Sequence, residues 1–145
     1  MSLFNAISIG ASGMDAQRTR AELITENIAN ADTTRTPEGG PYRRKDAVFT
    51  TATTQSSFAQ ALSDFSGTPV QGVAVSQVVT DQSDPDRRYL PGHPDADPNG
   101  YVAFPKINPA EEMVDLMSAS RGYQANVASI SAVKDMIARS LDLFK

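Results

Sequence analysis

Residues 108–144 read NPAEEMVDLMSASRGYQANVASISAVKDMIARSLDLF, and this stretch organises the chain. Asn108 offers a helix N-cap, Pro109 suits the first helical turn, and Glu111 is placed to reach back to the cap. No proline follows Pro109. Leu116, Tyr123, Ile130, Ile137 and Phe144 form a wholly apolar row at every seventh residue. A companion row, Met113, Ser120, Val127, Lys134 and Leu141, is broken at Ser120 and Lys134. The spacing predicts a long helix with one continuous seam. At about 1.5 Å per residue it would extend roughly 55 Å. Such a helix cannot fold back on itself, so the seam needs a partner helix.

The second helical pattern lies at the other end, over residues 3–31. Ile7, Met14, Ala21 and Ile28 repeat every seven residues, and Ile24 lies in the neighbouring row with Gly10 and Gln17. The seam is thin and small-sided. Each helical glycine lowers intrinsic stability by about 1 kcal/mol relative to alanine. This helix therefore gains its order mainly from packing, and its small residues let a partner approach closely. The reading is a mainly α chain with a small β part. Segments 1–31 and 108–145 form one core domain, paired as an antiparallel coiled coil. Segment 32–107 supplies a loop and short strands, projecting from the far end of that pair.

Within this middle segment, residues 32–41 are a loop by composition, with Pro37, Gly39, Gly40 and Pro41. Val48–Thr54 is rich in threonine and predicts a strand. Ser57–Phe65 has helical spacing. Val73, Val75 and Val78–Val79 predict the clearest strand, with the alternation slipping at Gln77. Tyr101–Phe104 predicts a short strand after a turn-rich segment.

Composition excludes much chemistry. The chain has 145 residues, a net charge of -4, one histidine and no cysteine. The acidic balance opposes a nucleic-acid partner, and disulfides and thiolate chemistry are excluded. No apolar run is long enough for stable membrane insertion, and no cleavable signal pattern opens the chain. Asp95, Asp97, Asn99 and Gly100 match the first half of a calcium loop, but Lys106 stands where a bidentate glutamate is required. Successive tight turns explain that stretch better. His93 has no second histidine or cysteine beside it to hold zinc, and no nucleophile elbow or phosphate-binding loop occurs. The expectation is no enzyme, no metal, no cofactor and no small-molecule substrate. Gly122, in mid-helix beside Tyr123, marks a close helix–helix contact.

Ala11-Ser12-Gly13-Met14, Gln17-Arg18 and Asn27-Ile28-Ala29-Asn30-Ala31-Asp32-Thr33-Thr34 resemble the N-terminal signature of bacterial flagellar rod and hook proteins. Ser120-Arg121-Gly122-Tyr123-Gln124-Ala125-Asn126 resembles the matching C-terminal signature, with Gly122 where that signature carries alanine. Residues 36–45, 91–102 and 111–117 are similar to the proximal rod members of that family. The resemblance implies a motility protein: a self-assembling structural subunit of the basal-body rod in the periplasmic space. It implies terminal helices aligned with the rod axis, partners in itself and other rod subunits, and passage through the flagellar type III export apparatus without a cleaved signal. Asn27, Asn30, Arg121, Gln124 and Asn126 are the signature positions. A soluble cytoplasmic coiled-coil adaptor dimer shares the same heptads and is the alternative.

Overall fold

The computed structural model describes residues 3–52 and 71–142. Along the chain run α1 (Leu3–Ala29), β1 (Lys45–Ala52), β2 (Gly72–Thr80), β3 (Asp86–Tyr89), β4 (Tyr101–Phe104) and α2 (Pro109–Asp142). The expected helical turns at Ser57–Phe65, and Phe144 of the apolar row, lie outside the described residues.

Side-chain chemistry fixes both inner helix ends. The Asn108 side-chain oxygen accepts a hydrogen bond from the Ala110 N–H at 3.1 Å, opening α2 as an N-cap should. At the end of α1, the Asn30 side chain donates to the Glu26 carbonyl at 2.9 Å. The Asn30 backbone N–H also donates to that carbonyl, at 3.1 Å, so one residue bonds it twice at the close of the helix.

Contacts between the helices run in reverse order along the two segments. Gly10 meets Ile130, Gly13 meets Asn126 and Gln17 meets Gly122. Arg20 faces Asp115 at 3.4 Å, and Asn27 reaches Glu112 at 3.2 Å. Ala16, Ile24, Ala119 and Val133 are the buried apolar side chains of these helices.

The strands form two separate two-stranded antiparallel sheets. In β1–β2 the register shifts after Val48, which faces Gln77 while Phe49 faces Val75. Ser76 is thus the extra residue of a bulge, where the valine alternation of the sequence slips. Its hydroxyl donates to the Val48 carbonyl at 3.1 Å. The described strands β1 and β2 do not project beyond the helices, contrary to the sequence expectation. They lie along α1, with Lys45 beside Asn27 and β2 starting beside Ser12. The Ser12 hydroxyl accepts from the Val73 N–H at 3.0 Å and donates to the Ile9 carbonyl at 2.8 Å.

β3 and β4 pair from Asp86↔Phe104 to Tyr89↔Tyr101. One face of this ribbon buries Val102 and Phe104; the other leaves Tyr89 and Tyr101 exposed, ring edge to face at 5.4 Å. Tight turns fill the connection, as the composition predicts. Leu90 N–H donates to Gly100 O at 2.8 Å and Asp97 N–H to Tyr101 O at 2.8 Å. Gly100 has φ +79°, and a Cβ there would sit 2.8 Å from the Tyr89 ring, so glycine is required twice over. Asp95 is engaged in holding this loop: it accepts from the Thr34 hydroxyl at 2.8 Å and faces Arg35 at 3.7 Å.

Candidate assembly site: a polar junction and two rows of one helix

The most buried polar side chains are Asn27 and Glu112, 0 % and 2 % exposed. Asn27 is fully used. Its amide nitrogen donates to the Lys45 carbonyl at 2.9 Å and to Glu112 Oε2 at 3.2 Å. Its oxygen accepts from the Lys45 N–H at 2.9 Å and the Tyr42 hydroxyl at 3.1 Å. The side chain therefore stands in for a strand neighbour at the start of β1, bonding both backbone groups of Lys45. Glu112 Oε1 accepts from Arg44 Nε, and Arg44 also bonds Asp46. Asp115 lies between Arg20 at 3.4 Å and Arg44 at 3.8 Å. Lys45 pairs with Glu26. One junction thus joins α1, the 42–45 segment and the first turn of α2. Glu112 also sits near the positive end of the α2 dipole, where a carboxylate is favoured.

Tyr42 belongs to this junction. Burial first, then the negative charge of Glu26, pushes its phenol from 10.0 up to about 12. The folded chain thus holds this proton more tightly than the unfolded chain. The stabilisation is complete below about pH 10 and is lost as pH rises towards 12. Alkaline unfolding followed by circular dichroism should show this fall in the parent chain. Tyr42→Phe should lack that component; equal pH slopes for the two chains would refute the assignment.

The small residues of α1 set how closely α2 approaches. A Cβ added at Gly10 would lie 2.8 Å from Ile130 Cγ1, and one at Gly13 2.7 Å from Asn126 Nδ2. At Gly122 it would lie 3.1 Å from Gln17 Cδ, consistent with a close helix–helix contact there. Gly10→Leu is therefore expected to destabilise the chain by about 1–3 kcal/mol through overpacking. Ile130→Ala in the same chain should restore part of the loss in thermal melts. Absence of any rescue would show that the strain lies elsewhere.

The sequence-derived seam divides into two groups. Ile24 is buried, and Ile7, Met14, Ala21 and Ile28 are half-buried. On α2, Leu116, Ile130 and Ile137 are half-buried, but Tyr123 is 42 % exposed. The companion row does not turn towards α1. Met113, Val127 and Leu141 are 55 %, 44 % and 62 % exposed. The row that does turn inward lies one residue earlier: Glu112, Ala119 and Val133 are buried, and Asn126 is half-buried. Among the described residues the wholly apolar row is thus half-buried except at Tyr123, while in place of the companion row small side chains and one buried carboxylate turn inward. Met113, Val114, Met117, Tyr123, Val127 and Leu141 instead leave apolar surface on the outside of α2. Of the signature positions, Asn27 and Asn30 anchor the end of α1, Asn126 packs on Gly13, and Arg121 and Gln124 are exposed.

Arg44, Lys45, Tyr42 and Glu112 escape the heptad pattern. Their sequence signals are position, as a basic run beside a tyrosine and an acid in a first helical turn, and the resemblance of residues 36–45 and 111–117 to the rod family. Among the described residues, no group of histidine, cysteine and carboxylate side chains could hold a metal ion. No described helix is long and apolar enough to cross a membrane.

The chain is similar to known flagellar proteins. The family model described as flagella basal body rod protein matches residues 7–35. The one described as flagellar basal body rod FlgEFG protein C-terminal matches residues 99–143. A flagellar basal-body rod protein FlgC from Borreliella burgdorferi is 39% identical over 151 residues, covering 100% of this chain and 99% of its own. The Bacillus subtilis protein of that name is 39% identical, with 100% of both chains covered. The Salmonella typhimurium one is 38% identical over 99% of this chain and 98% of its own.

Proposed function

We propose a division of labour within this chain, which belongs to the family of flagellar basal-body rod proteins and is a structural subunit of that rod, not an enzyme. In this reading α1 and α2 act as an antiparallel coiled coil lying along the rod, a stiff unit suited to transmitting torque. The reversed order of the helix contacts supports it. The inward residues of α2 hold the subunit together. The outward row of α2 meets neighbouring copies and other rod proteins. Heterologous contacts of this kind build open helical assemblies, because the patch and its complement lie on different surfaces. Passage through the flagellar export apparatus belongs to the same proposal. The observation that carries it is the exposed apolar surface of α2, where Met113, Val114, Met117, Tyr123, Val127 and Leu141 are each more than 40 % exposed. The cytoplasmic adaptor finds no support, since the full-length relatives are rod proteins.

The test is to purify basal bodies from the source bacterium and identify their rod proteins by mass spectrometry, with and without the gene. The chain should co-purify with the rod, and its deletion should leave cells without rods. Recovery only in the cytoplasmic fraction would overturn the proposal.

A further inference from the structure

The rotation of α2 against α1 does not follow from apolar area. Turned by one residue, α2 would bury Met113, Val127 and Leu141 together with Ser120 and Lys134; as it stands, the inward row is Glu112, Ala119, Asn126 and Val133. Each row mixes apolar and polar side chains, so apolar burial does not by itself select one of them. A specific polar interaction can make the selection.

We propose that the Asn27–Glu112 pair is a latch that sets the rotation and register of the helix pair, primed by the 42–45 segment. The priming lies in the amide orientation. Lys45 bonds Asn27 from both backbone groups, its N–H to the oxygen and its carbonyl to the nitrogen, each at 2.9 Å. Tyr42 adds a second donor to the oxygen. A flipped amide would set donor against donor at the Lys45 N–H and acceptor against acceptor at the Lys45 carbonyl. The remaining Asn27 N–H hydrogen therefore points one way only, to Glu112 Oε2. Glu112 in turn is held on its other oxygen by Arg44, from the same segment.

A slip of α2 by one heptad would bring Ala119 to Asn27. That leaves a buried amide hydrogen and a buried carboxylate without partners. Rotation to the Met113 row withdraws the carboxylate similarly. Buried polar groups lacking partners are strongly disfavoured, so a single polar pair can specify register where apolar rows leave it ambiguous. The small residues Gly10, Gly13 and Gly122 then fit the chosen rotation and no bulkier row. The consequence is functional: the apolar Met113 row is kept outward, on the face the rod reading needs, although the latch itself depends only on contacts within one chain.

The native chain has no cysteine, so an introduced pair reports register cleanly. Gly10→Cys with Ile130→Cys reports the observed arrangement. Gly10→Cys with Ile137→Cys, or with Tyr123→Cys, reports a slip of one heptad either way. In the purified full-length chain the first pair should form its disulfide rapidly. Asn27→Asp places a carboxylate oxygen against Lys45 O and Glu112, and should reduce that yield at least fivefold while raising a slipped pair. Adding Glu112→Gln returns a donor to face the new carboxylate and an acceptor to Arg44, and should restore at least half the parental yield. Unchanged cross-linking in Asn27→Asp would overturn the latch. So would a double variant no better than the single one, or no cross-link at the observed pair in the parent. Since the readout is made on the isolated chain, its failure is separate from a failure to find the protein in rods.

Discussion

Glu112→Ala is expected to lower the unfolding free energy by about 3 kcal/mol, read by urea titration at neutral pH with the slope m unchanged. Removing one partner of a buried ion pair typically costs about 3–5 kcal/mol, because the other charge is left uncompensated. The lower end applies here. The Arg44 side chain is 26 % exposed and keeps its bond to Asp46, so part of its charge remains solvated and paired. The second loss is the Asn27 amide, which forfeits one acceptor while itself fully buried. The contrast is Arg20→Ala. Arg20 and Asp115 are 34% and 40% exposed, and a pair of that kind is worth under about 1 kcal/mol. If Glu112→Ala cost no more than Arg20→Ala, desolvation of the carboxylate would cancel its pairing, and the junction would stabilise nothing.

The junction also marks where sequence reasoning stops. The long helix is legible because its apolar residues recur at helical spacing over many turns, and the Asn108 cap gives its start. The β2 bulge is legible because the valines change phase at Gln77, beside the residue that bulges. β3 is not: Asp86-Arg87-Arg88-Tyr89 has no alternation, and it is a strand only because Tyr101–Phe104 pairs with it. The docking of β1 and β2 on α1 is equally hidden, since a hydroxyl at Ser12 bonding the N–H of Val73 leaves no periodic trace. The companion row fails for a more specific reason. Periodicity scores apolar residues, but the contact is set by how near two backbones come. Gly10 and Gly13, which weaken α1 as a helix, are what let α2 approach, and a glutamate takes the first inward position of α2. Asn27 stands out in the sequence only through resemblance to the rod family; its role as a strand surrogate emerges only in the folded chain.

The outward and inward rows of α2 should separate under one kind of substitution. Ile130→Asp places a charge against Gly10, in the helix interface. It should lower stability by about 3 kcal/mol, through lost apolar burial and the cost of a carboxylate with no partner there. Cells carrying it should neither build rods nor swim. Met113→Asp with Val127→Asp places the same charge on side chains 55 % and 44 % exposed. The chain should then lose no more than about 1 kcal/mol, mostly from the lower helix propensity of aspartate. Swimming and rod incorporation should still be lost, because an apolar face that meets a neighbouring subunit cannot accept two unpaired charges. The measurements are denaturation of each purified chain, motility in soft agar, and recovery of the chain in purified basal bodies. A stable double variant that swims normally would remove the outward row from the assembly surface. An Ile130→Asp chain as stable as the parent would remove Ile130 from the seam. Only the combination of a folded double variant and absent rods assigns the two rows to different tasks. The same helix would then close the subunit on one side and join it to its neighbours on the other.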